Sequence, residues 1–275
     1  MTSNDAHART PTRTVIDEVQ IAAPVESVWR ALTEASELAN WFPLEASVTP
    51  GEGGAIWLSW EDLAEWDQKI RIWEPNKRLQ TTYVSTEPAP TPVEIAIDFH
   101  LEARAGGTVL RVVHSGFGAD ASWDTEYFGV KLGWRYELQS LQHYLEKHPG
   151  VARRVAWAKT ALEVTAEQAW ETLLGADGFV SDGTVAGLKP GDRYSIKTAA
   201  GQAFNGIVRT MSPPMEFSGT VENLGDSLVR IAFEHGSPAP VALIWLATYG
   251  LSQVQVDELQ ASFKSMLDTL LGRER

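Results

Sequence analysis

The feature that most constrains this sequence is an order of apolar patterns that occurs twice along 275 residues. Each half has a strand-like alternating stretch, a short amphipathic segment, several more alternating stretches and a long helical stripe. The halves meet at "EKHPGVARRVA", where a helical pattern runs into His-Pro-Gly and a basic polar stretch. A chain of this length can hold two domains of ordinary size. The pattern therefore predicts a tandem duplication of one α+β domain.

The first half has the clearer pattern. "RTVIDEVQI" alternates as a strand, and Pro24, predicted at the first helical position, opens a short amphipathic helix. Turn-like pieces such as "PGEGG", "EPNK" and "RAGG" separate the alternating stretches that follow. These stretches lie at about 44–48, 54–60, 66–74, 78–85, 92–103 and 107–115. A closing helix has one apolar face formed by Tyr127, Val130, Trp134, Leu138, Leu141 and Leu145.

The second half repeats this order with other residues. "WAKTALEV" replaces the first strand and "TAEQAWETLLG" the short helix, with Trp170 near the position of Trp29. A second closing helix has a stripe at Val256, Leu259, Phe263, Met266 and Leu270. The boundaries that this repeat predicts are a disordered tail at 1–13, a first domain at 14–148, a linker at 149–156 and a second, divergent domain at 157–272.

Alternation also predicts which side chains share a face of the first sheet. In "TVLRVVHSGF", Leu110 and Val112 alternate with Arg111, so His114 lies on the same face as the two aliphatic residues. Val93, Ile95, Ile97, Phe99 and Leu101 form the apolar face of the preceding stretch. The long closing helix must bury its own stripe, and the apolar side of this sheet is where it can do so.

Several of these pieces carry a family resemblance. "APVESVWRALTEASELANWF", a strand ending in "WEPNKRL", "GGTVLRVVHSGF" and the Gly133-Trp134 pair occur in this order. Over roughly residues 14–147 the chain resembles the family named for activators of the heat-shock protein 90 ATPase, within the START-like or SRPBCC (helix-grip) superfamily. Residues 157–271 resemble the superfamily in outline, without the Trp-Phe, His-Ser-Gly and Gly-Trp pieces.

The resemblance implies two helix-grip domains, each a curved antiparallel sheet wrapped around a long C-terminal helix, with a hydrophobic cavity between sheet and helix. Members of the superfamily bind lipids, sterols, plant hormones or polyketides. Eight of the eleven tryptophans lie in the first 150 residues, which favours that half as the place for a flat ligand, and Trp66 is one of its aromatic candidates. The predicted ligand-binding residues are Trp41, Phe42, Leu58, Trp60, Tyr83, Ile97, Phe99, Val112, His114, Phe117, Trp123, Tyr127 and Trp134.

Composition narrows the classes of partner and cofactor. A formal net charge of -13 repels phosphate, so no nucleic-acid or membrane partner is expected. The chain has no cysteine, which excludes disulfides and thiolate metal sites. Neither a metal nor another cofactor is predicted, because His100, His143 and His148 have no metal-ligand spacing. With no secretory signal and no long apolar run, a cytoplasmic protein is expected. The family resemblance further implies a bacterial one.

Three functions remain open at this level. The first is binding of a hydrophobic or aromatic small molecule in the first domain, with a structural second domain and a possible homodimer. The second is an aromatase/cyclase-like or hydrolase-like enzyme on a polyketide-like substrate, for which His114 could be a general base. The simpler interpretation of His114, and the one favoured here, is a histidine that is hydrogen-bonded at the end of a strand. The third is a co-chaperone-like regulator of a heat-shock protein 90 ATPase, with that chaperone as its partner.

Overall fold

The structure, a computed structural model, describes residues 11–61, 63–88, 91–175, 178–234 and 240–272. The chain forms two compact units. The first unit contains the described residues up to Ala39 and then Pro43–Glu146. The second contains Asn40–Phe42 and the chain from Lys147 onward. The chain passes from the first unit to the second between Glu146 and Lys147.

The first unit is a seven-stranded antiparallel sheet with one long helix. Its strands are β1 (Thr12–Ile21), β2 (Glu45–Thr49), β3 (Ala55–Ser59), β4 (Glu65–Glu74), β5 (Arg78–Ser85), β6 (Val93–Arg104) and β7 (Gly107–Gly118). Its helices are α1 (Val25–Thr33), α2 (Ala35–Leu38) and α3 (Asp124–Lys147), the last preceded by a 3₁₀ turn at Ala121–Trp123. Each stretch predicted as a strand in this half is a strand, with ends that differ by a few residues at most.

The second unit has the same kinds of elements in the same order. Its strands are β8 (Arg153–Ala161), β9 (Val180–Gly183), β10 (Arg193–Thr198), β11 (Ala203–Ser212), β12 (Glu216–Val221), β13 (Ser227–Glu234) and β14 (Val241–Tyr249). Its helices are α4 (Ala166–Leu174) and α5 (Gln253–Leu271), with a 3₁₀ turn at Glu222–Leu224. The short strand β9 was not predicted, because four residues are too few to show an alternating pattern.

The two sheets share one strand order. In the first unit the order is β1-β7-β6-β5-β4-β3-β2, and in the second it is β8-β14-β13-β12-β11-β10-β9. In both, the first strand of the unit pairs with the last, and the other strands follow as a meander. The tandem α+β architecture with helix-grip topology is therefore confirmed in both units.

The structure changes three local predictions. The first strand begins at Thr12, inside the predicted tail, because β1 pairs with β7 as far as Gly118. The strand β8 begins at Arg153, inside the predicted linker 149–156, since it pairs with β14 from Tyr249 onward. Pro24 is the residue before the first helical residue of α1, with an extended ψ of 149°, and not the first helical residue itself.

Turn chemistry closes the hairpin between β6 and β7. Gly106 has a φ of +87°, a conformation that favours glycine. At Gly107 a Cβ atom would lie 2.0 Å from the carbonyl oxygen of Ile21, so only glycine allows this close approach of backbones.

Two more glycines, Gly129 and Gly133, lie inside α3, where a Cβ atom would meet no atom within 4 Å.

Asp98 lies on the outer face of β6, opposite to its neighbours Ile97 and Phe99, but it is only 8% exposed. Arg78 donates two hydrogen bonds to its carboxylate, at 2.9 and 2.7 Å, and Gln80 donates another at 2.8 Å. Burial alone would raise the pKa of Asp98, but these hydrogen bonds together hold it below its ordinary value. This buried carboxylate is thus a satisfied structural group on the outer face of the sheet.

Candidate functional site

The inner face of the first sheet is built by alternate residues of neighbouring strands. On β7, Leu110, Val112 and His114 are buried, whereas Arg111 is exposed. Ile97 of β6 lies directly opposite His114 across the ladder. This arrangement agrees with the face predicted for His114, because side chains two residues apart along a strand share a face.

Two hydrogen bonds hold the ring of His114. Trp134 Nε1 lies 3.0 Å from His114 Nδ1, and Tyr83 Oη lies 3.1 Å from His114 Nε2. An indole N–H can only donate, so Nδ1 must accept, and the neutral ring carries its proton on Nε2. The Nε2–H group therefore donates to the hydroxyl oxygen of Tyr83.

Burial determines the charge of this histidine. His114 is 1% exposed, and burial lowers its pKa from 6.5 to about 3. A second proton on Nδ1 would also point at the indole N–H donor of Trp134. Both ring nitrogens are thus occupied and the ring is neutral, which disfavours His114 as a general base. The geometry supports the alternative of a histidine hydrogen-bonded near the end of its strand.

A continuous series of aromatic side chains crosses the inner face, and we call Trp60, Trp66, Tyr83, His114 and Phe117 the aromatic row. Ring centroids are 5.1 Å apart for Trp60 and Trp66, and 6.1 Å apart for the parallel rings of Trp66 and Tyr83. The row continues to His114 at 5.8 Å and from there to Phe117 at 4.9 Å. Its first three members are half-buried and its last two are buried, so one end of the row faces solvent.

The buried end of the aromatic row meets the long helix. Trp134 of α3 packs edge-on against Phe99 at 5.6 Å, and Phe117 contacts Trp123 and Tyr127 at 6.2 and 6.0 Å. Phe99, Phe117, Trp123 and Trp134 are all buried, whereas Tyr127 is half-buried. These edge-to-face contacts are of the kind that stabilise aromatic clusters beyond their buried area.

Arg13 of β1 links the start of α3 to the edge of the sheet through hydrogen bonds. Its Nε donates to the carbonyl oxygen of Gly118 at 2.9 Å, and its guanidinium also pairs with Asp124 and with the carbonyl oxygen of Asp120. The guanidinium carbon lies 4.6 Å from the centre of the Tyr127 ring. Charge-assisted hydrogen bonds and a cation–π contact thus hold the helix next to the buried end of the aromatic row.

Most of the predicted ligand-binding residues meet on the inner face of the first unit. Leu58, Ile97 and Val112 form its buried aliphatic part. Trp41 and Phe42 belong with the second unit instead, where they stack on each other with ring centroids 4.9 Å apart. Their neighbour Asn40 accepts hydrogen bonds from the backbone of Arg153 and the hydroxyl of Tyr249, which holds residues 40–42 within that unit.

Trp66 and Glu126 were missing from the predicted ligand-binding set. Trp66 was considered as an aromatic candidate, and its position opposite Leu58 in the β3–β4 ladder places it in the aromatic row. Glu126 is half-buried on α3, and burial raises its pKa. Burial, followed by the negative charge of Glu126, raises the pKa of Tyr83, so Tyr83 stays protonated. The spacing of Glu126, Val130 and Trp134, four residues each, was a signal that could have identified Glu126.

The inner face of the second unit is filled with apolar side chains. Phe179, Phe204, Phe217 and Phe263 are all 0% exposed, and Phe263 of α5 contacts Phe179 and Phe204 at 6.2 and 6.5 Å. The one tyrosine among them, Tyr194, donates a hydrogen bond of 2.6 Å to the carbonyl oxygen of Thr220. Its hydroxyl therefore has its acceptor within the unit.

The histidines near the end of α3, His143 and His148, are not exposed to solvent. His143 is 4% exposed, since it lies on a part of α3 that is buried on more than one side. His148 is half-buried, its Nε2 lies 3.0 Å from the carbonyl oxygen of Asp226, and its ring stacks on Tyr249 at 4.1 Å.

In the described residues no helix is long and apolar enough to cross a membrane.

Comparisons with known proteins cover both units to different extents. The protein MLL2253 from Mesorhizobium loti is 30% identical over 50% of this chain and 98% of its own, with a TM-score of 0.45. DynU16, from the dynemicin biosynthetic locus, is 21% identical over 95% of this chain and 97% of its own, with a TM-score of 0.44. The Aha1 dimer from Colwellia psychrerythraea is 24% identical over 50% of this chain and 99% of its own, with a TM-score of 0.43.

No curated protein matches this chain in sequence. A family model does match: that of "Activator of Hsp90 ATPase homolog 1-like protein", over residues 22–146. This range starts just after β1 and ends within α3, so it contains the aromatic row and most of the long helix of the first unit. Residues 22–146 of the first unit are therefore similar to the family of activator of Hsp90 ATPase homolog 1-like proteins.

Proposed function

We propose that the first unit binds a hydrophobic aromatic small molecule on the inner face of its sheet, along the aromatic row. The observation that carries this proposal is the row itself. It starts with the partly exposed rings of Trp60, Trp66 and Tyr83 and continues into the buried rings of His114 and Phe117. Aromatic rings bury large areas and stack on flat molecules, and contiguous apolar surface often marks a binding site.

In the same proposal the second unit has a structural role. Phe204, Phe217 and Tyr194 of its sheet pack with Phe263 of α5 and with Phe179, which precedes β9, and all five are buried. The hydroxyl of Tyr194 already donates to a backbone carbonyl, so it offers no free donor to a ligand. A close-packed interior of this kind leaves a guest no room without rearrangement.

The other two functions have less support in the described residues. A cyclase-like or hydrolase-like enzyme needs a group that exchanges protons with its substrate, and the two hydrogen bonds of His114 occupy both ring nitrogens. A co-chaperone role has only the family description in its favour. The chaperone partner and the homodimer stay predictions.

Probe binding tests the proposal directly. The neutral fluorophore N-phenyl-1-naphthylamine should bind the whole protein, with a rise in probe fluorescence, quenching of tryptophan fluorescence and an increase in Tm by linkage. Truncation of Trp60 to alanine should weaken probe binding at least about tenfold, because a large stacking surface is removed. Native mass spectrometry of the purified protein should also detect a retained apolar guest.

Trp57 supplies the matched control. It lies on β3 between Ile56 and Leu58, so it points to the opposite face, and it is half-buried like Trp60. Trp57→Ala should leave the Kd of the probe unchanged within about twofold. Equal losses in the two variants, or no binding to the wild-type protein, would contradict the proposed function.

A further inference from the structure

The chemistry of the ligand can be inferred from the direction of the hydrogen bonds at the aromatic row, and this inference rests on the proposed function. Trp134 Nε1–H donates to His114 Nδ1, which fixes the position of the single proton of the neutral imidazole on Nε2. That proton points to Tyr83 Oη at 3.1 Å. The indole of Trp134 on α3 thus fixes the tautomer of His114, and this tautomer makes the hydroxyl oxygen of Tyr83 a hydrogen-bond acceptor.

The hydroxyl of Tyr83 accepts from His114, so its own proton is left to donate. In the described part of the chain no acceptor for this proton is present, since His114 is the one hydrogen-bond partner of the hydroxyl. Tyr83 is half-buried, between the parallel ring of Trp66 and the edge of His114. A half-buried donor without an acceptor is the group that gains most from an acceptor oxygen on a ligand.

The charge near the hydroxyl of Tyr83 indicates which kind of acceptor oxygen on a ligand can bind there. Glu126 of α3 is half-buried and is followed in the helix by Tyr127, whose ring lies 6.0 Å from Phe117 of the aromatic row. Its negative charge raises the pKa of Tyr83. A carboxylate or phosphate bound to Tyr83 would face this like charge in a partly desolvated place, which is unfavourable. A neutral acceptor, such as the oxygen of a ketone or quinone, meets no such repulsion.

We propose that Tyr83 is a specificity-determining residue that donates its hydroxyl proton to a carbonyl oxygen of a neutral aromatic ligand. His114 and Trp134 are its positioning residues, because they act on the ligand through the phenol and not by contact. The site thereby selects aromatic ketones or quinones over hydrocarbons of the same shape.

Two probes of nearly identical shape test this selection: 9-fluorenone, which has a carbonyl group, and fluorene, which has a methylene group in its place. In equilibrium dialysis with the full chain, the ketone should bind about five- to tenfold more tightly than the hydrocarbon, as expected for one net hydrogen bond. Tyr83→Phe should reduce this ratio to about one and change the Kd of fluorene by less than about twofold.

Tyr194→Phe is the control, because Tyr194 lies in the second unit and donates its hydroxyl proton to the carbonyl oxygen of Thr220. This variant should keep the ratio. A ligand-free readout comes from ¹⁵N NMR of the histidine ring, which should show the Nε2–H tautomer of His114 in the wild-type protein.

Each outcome decides between the two proposals. Equal affinities for ketone and hydrocarbon in the wild type, or a preference that persists in Tyr83→Phe, would overturn the inference and leave the proposed function standing. The opposite tautomer of His114 would overturn it as well. If neither compound binds, both the inference and the proposed function fail.

Discussion

The two units share a strand order but differ in what they place on the inner face of the sheet. In the first unit that face carries a neutral histidine, a tyrosine with a free donor and two half-buried tryptophans. In the second, phenylalanines with 0% exposure occupy the same side, and Tyr194 donates within the unit. One topology thus supports a candidate site in one unit and a close-packed core in the other.

This difference shows that the fold alone does not assign a function to either unit. Strand order and alternation determine which residues face inward, and the residue types then decide whether the inner face is a core or a site. The predictions below test the contrast by substitutions of similar type in the two units, from the largest expected effect to the smallest.

Removal of a large aromatic ring should destabilise the second unit far more than the first. Phe263→Ala should lower the free energy of unfolding by about 3–5 kcal/mol, because a fully buried ring leaves a cavity. Trp60→Ala should cost about 1 kcal/mol, since its ring is half-buried, but should abolish tight probe binding. Urea denaturation followed by circular dichroism measures both.

The conservative change Phe263→Leu is the control for volume, with an expected loss of about 1 kcal/mol. Losses of the same size for Phe263→Ala and Trp60→Ala would contradict the contrast between a packed and a partly open inner face.

Acid should destabilise the protein through His114. Its pKa is about 3 in the folded protein and about 6.5 in the unfolded chain, so between these values the unfolded chain binds one more proton. The free energy of unfolding contributed by this residue therefore falls as pH falls, by about 2–3 kcal/mol from pH 6 to pH 4. Urea titrations at several pH values should show a shallower pH dependence for His114→Gln.

Asp98 also loses stabilising interactions in acid, because its pKa is lowered in the folded protein. Asp98 is present in both the wild type and the variant, so the difference between the two pH curves reports the contribution of His114. If the free energy of unfolding falls equally with pH in the two proteins, His114 is charged or exposed in the folded state. This result would contradict the neutral Nε2–H tautomer assigned to His114.

The smallest effects should come from two arginines. Arg13→Ala should lower the free energy of unfolding by about 1–2 kcal/mol, because this side chain bonds to Asp124 and to two backbone carbonyls. Among the residues that the structure describes, Arg193 of the second unit pairs only with Glu222, and its side chain is 67% exposed. Arg193→Ala should therefore give no measurable change in thermal unfolding. A larger loss for Arg193→Ala than for Arg13→Ala would contradict this ranking.

Much of the fold could be predicted from the sequence, because alternation and turn residues are local signals. Strands of the first unit lie where "GG", "EPNK" and "RAGG" separate alternating stretches, and α4 begins at the capping box of Thr165 and Gln168. The face of His114 also followed from the two-residue period. Residues 40–42 could not be assigned to the second unit, because their partners Arg153 and Tyr249 are more than one hundred residues away in sequence.

The hydrogen-bond chain of the candidate site could not be predicted either. Trp134, His114 and Tyr83 lie on a helix and two strands, and no periodicity indicates which side chains from different elements will pair. Proton positions depend on the distances between these partners, and those distances exist only in three dimensions. The sequence predicts a histidine on an apolar face, whereas the structure determines that it is a neutral donor to a phenol.

The two glycines of α3 have a consequence for kinetics. Glycine inside a helix costs about 1 kcal/mol relative to alanine, and alanine would meet no steric obstacle at Gly129 or Gly133. The half of the helix that begins at Asp124 is thus easier to unwind than its remainder. A guest held along the aromatic row could enter and leave by transient fraying of this half, with the sheet intact. Its residence time would then depend on helix propensity as much as on contact area.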